Sequence, residues 1–328
     1  MKYHLLIFSS LLICSYAKAE ISSFFLDIQQ MDRYGEKYRV DILKDICESK
    51  EEHDLVIINV INSNGSLNDL YLNKIQPYYK CFNKVFFSVN SKKWEKKNND
   101  WKDSKYYNGI MDKNFSQQNI NYALKNANSI LKKYPNMNFS WYIHYEANLN
   151  YFTNDSIKDA YKNYLKTLSD SLYKIKSADI LWSPAFWTPY STLKEKDKIK
   201  LEINLNDLFK STPKITWIHF QDFLGQTSYT TCDTPTCLRP AIINRNFNSE
   251  SDECLNTKGN YSILQQAIKG TNIKNLKVNM ELFTQNKNSS TSFIPAPQST
   301  ISEREKCYLQ NNIPIGISFE MLYWNKLD

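Results

Sequence analysis

The sequence predicts an α/β protein folded as a (β/α)8 TIM barrel of eight parallel strands, with the last helix short or missing. Three observations carry that prediction. Eight β-rich runs alternate with seven helix-periodic runs from end to end. Every connection between successive runs is long enough for a parallel crossover. The polar residues of several strands share one parity and gather at the C-terminal strand ends, where sites of this fold lie.

The first strand is SFFLDIQ (23–29). Strand side chains repeat every two residues, so Phe24, Leu26 and Ile28 suit the helix side and leave Asp27 and Gln29 facing the barrel interior. A helix over 38–47 leads to LVIINVI (55–61), and a helix over 67–79 leads to KVFFSVN (84–90), where the same parity turns Ser88 and Asn90 inward. After a helix over 117–134 comes FSWYIHYE (139–146), with His144 and Glu146 inward. Asp155 and Ser156 start the next helix, 156–175, followed by DILWSPAF (179–186). A helix over 203–209 precedes ITWIHFQD (215–222), and one over 261–269 precedes LKVNMELF (276–283), which turns Asn279 and Glu281 inward. Ser302 with Glu305 three residues later reads as the start of a helix over 302–311. The last strand, IPIGISFE (313–320), is expected to place Ser318 and Glu320 inward, and only MLYWNKLD remains after it.

The first residues have a basic start at Lys2, a short apolar run over 5–14 and the triplet Ala17, Lys18, Ala19, the pattern of a secretory signal peptide spanning 1–19. The run is too short to span a membrane. The remainder, 20–328, reads as a single exported domain, periplasmic or secreted; only 7 glycines in the whole chain argue against flexible linkers between modules. Losing Lys2 and Lys18 from 41 basic residues, against 34 acidic ones, leaves a mild charge of +5. The densest basic stretch, Lys92, Lys93, Lys96 and Lys97 with Trp94 and Trp101 among them, is read as a solvated loop rather than a nucleic-acid surface. Six cysteines outlast the leader, an even number that points to disulfides in an oxidising compartment. Cys47 with Cys81, and at least one bridge within Cys232, Cys237 and Cys254, are the expected pairings; a zinc site lacks a second close pair or a nearby histidine.

Glu146 at the end of strand four and Glu281 at the end of strand seven form the constellation that could carry chemistry. Two carboxylates across a barrel mouth can cleave a glycosidic bond when one protonates the departing oxygen and the other attacks the anomeric carbon. Glu146 is assigned as acid/base and Glu281 as nucleophile, with retention of configuration and no cofactor. A lone strand-end glutamate is commonly a partner for a lysine; several acids of matching parity favour a site. Around the pair, Asp27, Gln29, Asn90, His144, Gln221, Asp222, Asn279 and Glu320 are candidates for holding the acids or sugar hydroxyls, and Trp182, Trp187 and Trp324 for stacking on sugar rings, although such aromatics also fill cores. No metal is assigned: no HxH or HExxH is present, and a metal-assisted hydrolase stands as a third reading. The long loops 91–116, 223–260 and 284–301 are expected to wall the cleft.

The motifs WYIHYEAN (141–148), WSPAFW (182–187), IHFQDFLGQ (218–226) and NMELF (279–283) resemble the signature strands of a family of bacterial barrels known as domain of unknown function 4434. That family looks related to the glycoside hydrolase clan with catalytic glutamates on strands four and seven. The resemblance implies that those glutamates fall on Glu146 and Glu281 and that a glutamine-aspartate pair falls on Gln221 and Asp222. Tyr145 departs from the clan's pattern, which has asparagine before the strand-four acid, and the final helix is missing. The expected function is thus an exported glycoside hydrolase acting on a polysaccharide or oligosaccharide; the alternative is a catalytically inactive carbohydrate-binding or surface-assembly protein on the same scaffold.

Overall fold

Runs dominated by Phe, Ile, Val and Trp, which lose little on being extended and pack well on a pleated surface, form the strands of this protein. The computed structural model describes residues 21, 23–31, 36–49, 52–62, 64–89, 109–225, 228–231, 241–244, 250–285 and 293–324. The leader, Asn90, the Lys92 to Trp101 stretch, Cys232 and Cys237 lie outside the described residues. Strands β1 (Phe24–Asp27), β2 (Asp54–Ile58), β3 (Lys84–Ser88), β4 (Ser140–Ile143), β5 (Ile180–Trp182), β6 (Trp217–Gln221) and β9 (Asn275–Asn279) make one seven-stranded parallel sheet in that order. Helices α1 (Glu36–Glu48), α2 (Asp69–Ile75), α3 (Lys113–Lys133), α4 (Asp155–Ile175), α5 (Glu195–Ser211) and α6 (Glu250–Ala267) supply the crossovers.

Two packing layers result from the period of two. Phe24, Leu26, Leu55, Ile57, Phe87, Trp141 and Val278 pack against the helices in the large outer core. Phe25, Val56, Phe86, Tyr142, Leu181 and Trp217 fill the concave side of the sheet. At roughly 1.5–3 kcal/mol for each large side chain removed from water, a one-residue slip in any strand would be prohibitive, so the register fixes which polar residues face inward.

The expected eighth strand behaves differently. Residues 315–319 meet both sheet edges only through isolated parallel bridges, Phe24 with Ser318 on one side, and Val278 with Ile315 and Glu281 with Phe319 on the other. The five residues 315–319 span the same stretch as the four residues 278–281, so this segment carries a bulge of one extra residue. Gly316 and Ile317 consequently turn inward in succession: Ile317 joins the inner cluster with Phe319 packed on it, and a Cβ on Gly316 would lie 2.6 Å from the His219 ring. Ser318 therefore lies opposite Phe24 on the outer side, correcting the expectation that it faces inward.

Other differences are local. The loops expected over 223–260 and 284–301 contain two antiparallel hairpins, β7 (Ser228–Thr231) with β8 (Ala241–Asn244) and β10 (Phe283–Gln285) with β11 (Phe293–Pro295). Helix α7 (Gln298–Gln310) starts directly after Pro297, four residues before Ser302. A one-turn helix, α8 (Met321–Trp324), follows the last bridge. Asn154 caps α4 by accepting from the backbone N–H groups of Ser156 and Ile157, one position ahead of the expected start. Two disulfides are present among the described residues: Cys47–Cys81, as expected, and Cys254–Cys307. Cys254 is thereby removed from the expected cluster with Cys232 and Cys237; it ties α6 to α7. No described helix is long and apolar enough to cross a membrane.

Candidate active site at the C-terminal strand ends

The inner polar residues converge at the C-terminal ends of the strands. β6 and β9 are in register with Gln221 beside Asn279, and Glu281 is the next inward residue beyond Asn279. Gln221 reaches across to hydrogen-bond the carboxylate of Glu146, while its Nε2 also donates to the Ser183 carbonyl at 3.1 Å. Gln221 thus links the strand-four acid to the β6–β9 edge that carries Glu281.

The two glutamates are held differently. Glu146 is solvent-exposed in the mouth, yet protein atoms crowd it, and this desolvation raises its pKa above the usual glutamate value, with the Gln221 hydrogen bond opposing the shift. Its charge also reaches the phenol of Tyr142, whose pKa burial pushes well up. Glu281 is buried at 2% exposure, and its Oε2 accepts the Gly225 N–H at 2.6 Å.

Behind Glu281 lies a network that the sequence did not reveal. The Glu281 N–H donates to Asp222 Oδ1 at 3.2 Å, and its carbonyl accepts Arg304 Nη1 at 2.6 Å. Arg304 Nη2 donates to the Leu224 carbonyl at 2.9 Å, and the Leu224 N–H returns to Asp222 Oδ1 at 3.2 Å. Tyr308 Oη donates to Asp222 Oδ2 at 2.6 Å. Burial raises the Asp222 pKa despite the nearby Arg304 charge and these donors. Asp222 therefore sits on the helix side of β6, opposite in parity to Gln221, and acts on the backbone rather than on anything in the mouth. One signal was available: this chain has 5 arginines among 41 basic residues, and a planar fork of donors suits paired carbonyls as lysine cannot.

Other candidates divide similarly. Asp27 Oδ1 accepts from Asn59 Nδ2 at 2.7 Å and from the Gln29 N–H at 3.0 Å; Asn59 takes a positive φ of 57° there. Glu320 Oε1 accepts the Asp27 N–H at 2.9 Å, so Glu320 joins the ends of β1 and the last segment. Gln29 is exposed within a short 3-10 turn rather than on an inward strand face. His144 Nδ1 lies 3.1 Å from Ser88 Oγ. Asn279 Nδ2 donates to Ser183 Oγ at 3.1 Å, and its Oδ1 is buried without a protein partner among the described residues. Trp187 stacks on Phe223 with ring centres 5.7 Å apart at the mouth-side loops. Trp182, by contrast, is fully buried in the outer core, with Nε1 donating to the Tyr145 carbonyl at 3.0 Å, and is corrected from stacking platform to core residue. The backbone of Trp324 ends α8.

No family model matches the chain, and no curated protein matches it by sequence. Solved structures do. A protein of Bacteroides thetaiotaomicron VPI-5482, provisionally named an alpha-L-fucosidase, aligns with TM-score 0.58 at 15% identity over 98% of this chain and 91% of its own. A GH18 chitinase from Pseudoalteromonas aurantia aligns with TM-score 0.50 at 13% identity over 93% and 96%. The C-terminal domain of a provisionally named chitinase from Desulfitobacterium hafniense DCB-2 gives 0.51 at 9% identity over 93% and 94%. The chain accordingly has a glycoside-hydrolase-like α/β fold.

Proposed function

We propose that this protein is an exported glycoside hydrolase on an eight-stranded barrel closed by residues 315–319, with Glu146 as general acid/base and Glu281 as nucleophile. The observation that carries the reading is the unlike treatment of two carboxylates on one inner face at one end of the sheet. Glu146 is solvent-reached with a pKa raised above the ordinary glutamate value, which suits a proton donor. Glu281 is fixed by a backbone N–H, which suits an oriented anion.

In the proposed reaction the Glu281 carboxylate attacks the anomeric carbon as Glu146 gives its proton to the departing glycosidic oxygen, leaving a glycosyl ester on Glu281; water, giving a proton to Glu146, then attacks the same carbon and releases Glu281 with net retention. Two disulfides support an oxidising compartment. The test is reducing-end release from a panel of oligosaccharides and polysaccharides by the full chain and by Glu146→Gln and Glu281→Gln. Each variant should lose at least 100-fold in turnover while remaining folded; cleavage at the unmodified rate by both would overturn the assignment. Saturable glycan binding with no bond cleavage by the unmodified chain would instead favour a binding protein on the same scaffold.

A further inference from the structure

A cavity of about 710 Å³ opens at the opposite end of the sheet from the carboxylates, where β3, β4, β5, β6 and β9 begin. This is within the size range of small-ligand sites. Lys84 at its floor is neutralised: its Nζ lies 2.6 Å from Asp179 Oδ2, whose Oδ1 accepts Thr216 Oγ1 at 3.0 Å. Burial pushes the Asp179 pKa up, but the Lys84 ion pair, the Thr216 hydroxyl and the more distant Lys274 charge together hold it down. Asp179 is thereby already committed within the wall.

Lys214 and Lys274, on the loops entering β6 and β9, also line the cavity. Neither has a carboxylate within ion-pair distance among the described residues. Lys214 Nζ lies 4.0 Å from the ring centre of Tyr173, an aromatic that remains 37% exposed at the rim. Asn138 and Asn272 add neutral donors and acceptors. Three ammonium groups against the one carboxylate of the lining, with a partly exposed ring and amides in the same concavity, match a molecule with anionic groups on a hydroxylated ring: charge for the cations, a C–H face for the aromatic, hydroxyls for the amides. From this juxtaposition we propose that the cavity at the N-terminal strand ends binds a saccharide bearing carboxylate or sulfate groups, as a site separate from the glutamate mouth.

Isothermal titration of the full chain with trigalacturonate, with a neutral galactotriose and with inorganic sulfate tests the proposal. Trigalacturonate should bind at least tenfold tighter than the neutral trisaccharide, and more weakly as salt rises. The Lys214→Gln/Lys274→Gln double variant should lose at least tenfold, with an unchanged unfolding midpoint, while Glu281→Gln should retain the binding because the glutamate lies at the other end. Equal binding of the acidic and neutral trisaccharides, no binding of trigalacturonate, or full binding by the double variant would overturn it. Sulfate binding as tightly as trigalacturonate would overturn the saccharide assignment. Because the readout is binding and not cleavage, its outcome is independent of whether Glu146 and Glu281 are catalytic.

Discussion

Removing the Arg304 guanidinium should be among the most costly single changes in the molecule. Arg304 is 6% exposed and donates to two buried carbonyls, those of Glu281 and Leu224, beside the carboxylate of Asp222. In Arg304→Met each carbonyl would lose its charged donor, at roughly 1–3 kcal/mol apiece, and Asp222 would lose the neighbouring positive charge that favours its ionised form. Methionine restores part of the apolar stem, which limits the packing loss. The expected total is about 3–5 kcal/mol, the range for breaking a buried charged partnership. Urea unfolding followed by tryptophan fluorescence measures it, and hydrogen exchange read on peptides spanning 222–226 and 279–283 should show faster exchange there than in β1 to β3. A loss below about 1 kcal/mol, or exchange unchanged in those two segments, would refute the idea that α7 holds Glu281 from behind.

Three further outcomes follow from other residues. If Glu146 is the proton donor, activity should fall as pH rises through its pKa, which lies above the ordinary 4.5; a pH–rate profile with no alkaline limb, or the same limb in Glu146→Gln, contradicts that role. His219 is fully buried between Asn275 and the Ile317 N–H, and burial lowers its pKa from 6.5 to about 3. A folded-state pKa below the unfolded one means that the unfolded chain binds the extra proton, so stability should be lost as pH falls from 6.5 towards 3, by up to on the order of 4–5 kcal/mol from this residue. Denaturant unfolding across that window should show a shallower loss in His219→Gln, and an identical slope would count against the assignment. Gly316→Ala should destabilise by roughly 1–3 kcal/mol through overpacking, since the added Cβ would meet the His219 ring and the Lys277 side chain within 3 Å; thermal unfolding at matched pH checks it.

Most of the sheet was legible because its strands alternate strictly and are bounded by polar turns. Asp27, Ser88, His144, Asn279 and Glu281 followed from counting by twos. The same count, applied with care, would have placed Asp222 on the opposite side from Gln221 and Trp182 opposite Leu181, since neighbours on a strand cannot share a face. Ser318 was beyond such counting: its facing depends on one extra residue between the bridges at Ile315 and Phe319, which leaves no mark in the hydrophobic pattern beyond a glycine. Helix α5 begins at Glu195, well before the predicted start at 203, because its first turns present Glu195, Lys196, Asp197 and Lys198 and so lack apolar periodicity. The acidic residues there favour a helix N-terminus through the dipole. Arg304 and Tyr308 lie on a helix that packs behind the sheet, and the bonds of Arg304 to the Glu281 carbonyl and of Tyr308 to Asp222 are tertiary facts with no local signature.

The dependence of Glu281 on α7 also sets an order of assembly. Seven paired strands are complete once the chain has emerged through Asn279, but the backbone around Glu281 waits for Arg304 and Tyr308, and the Cys254–Cys307 bond waits for the same stretch. A polypeptide ending before α7 would possess the seven paired strands, with Gly225 and Asp222 at Glu281, and still lack the guanidinium that holds the Glu281 carbonyl and the phenol that holds Asp222.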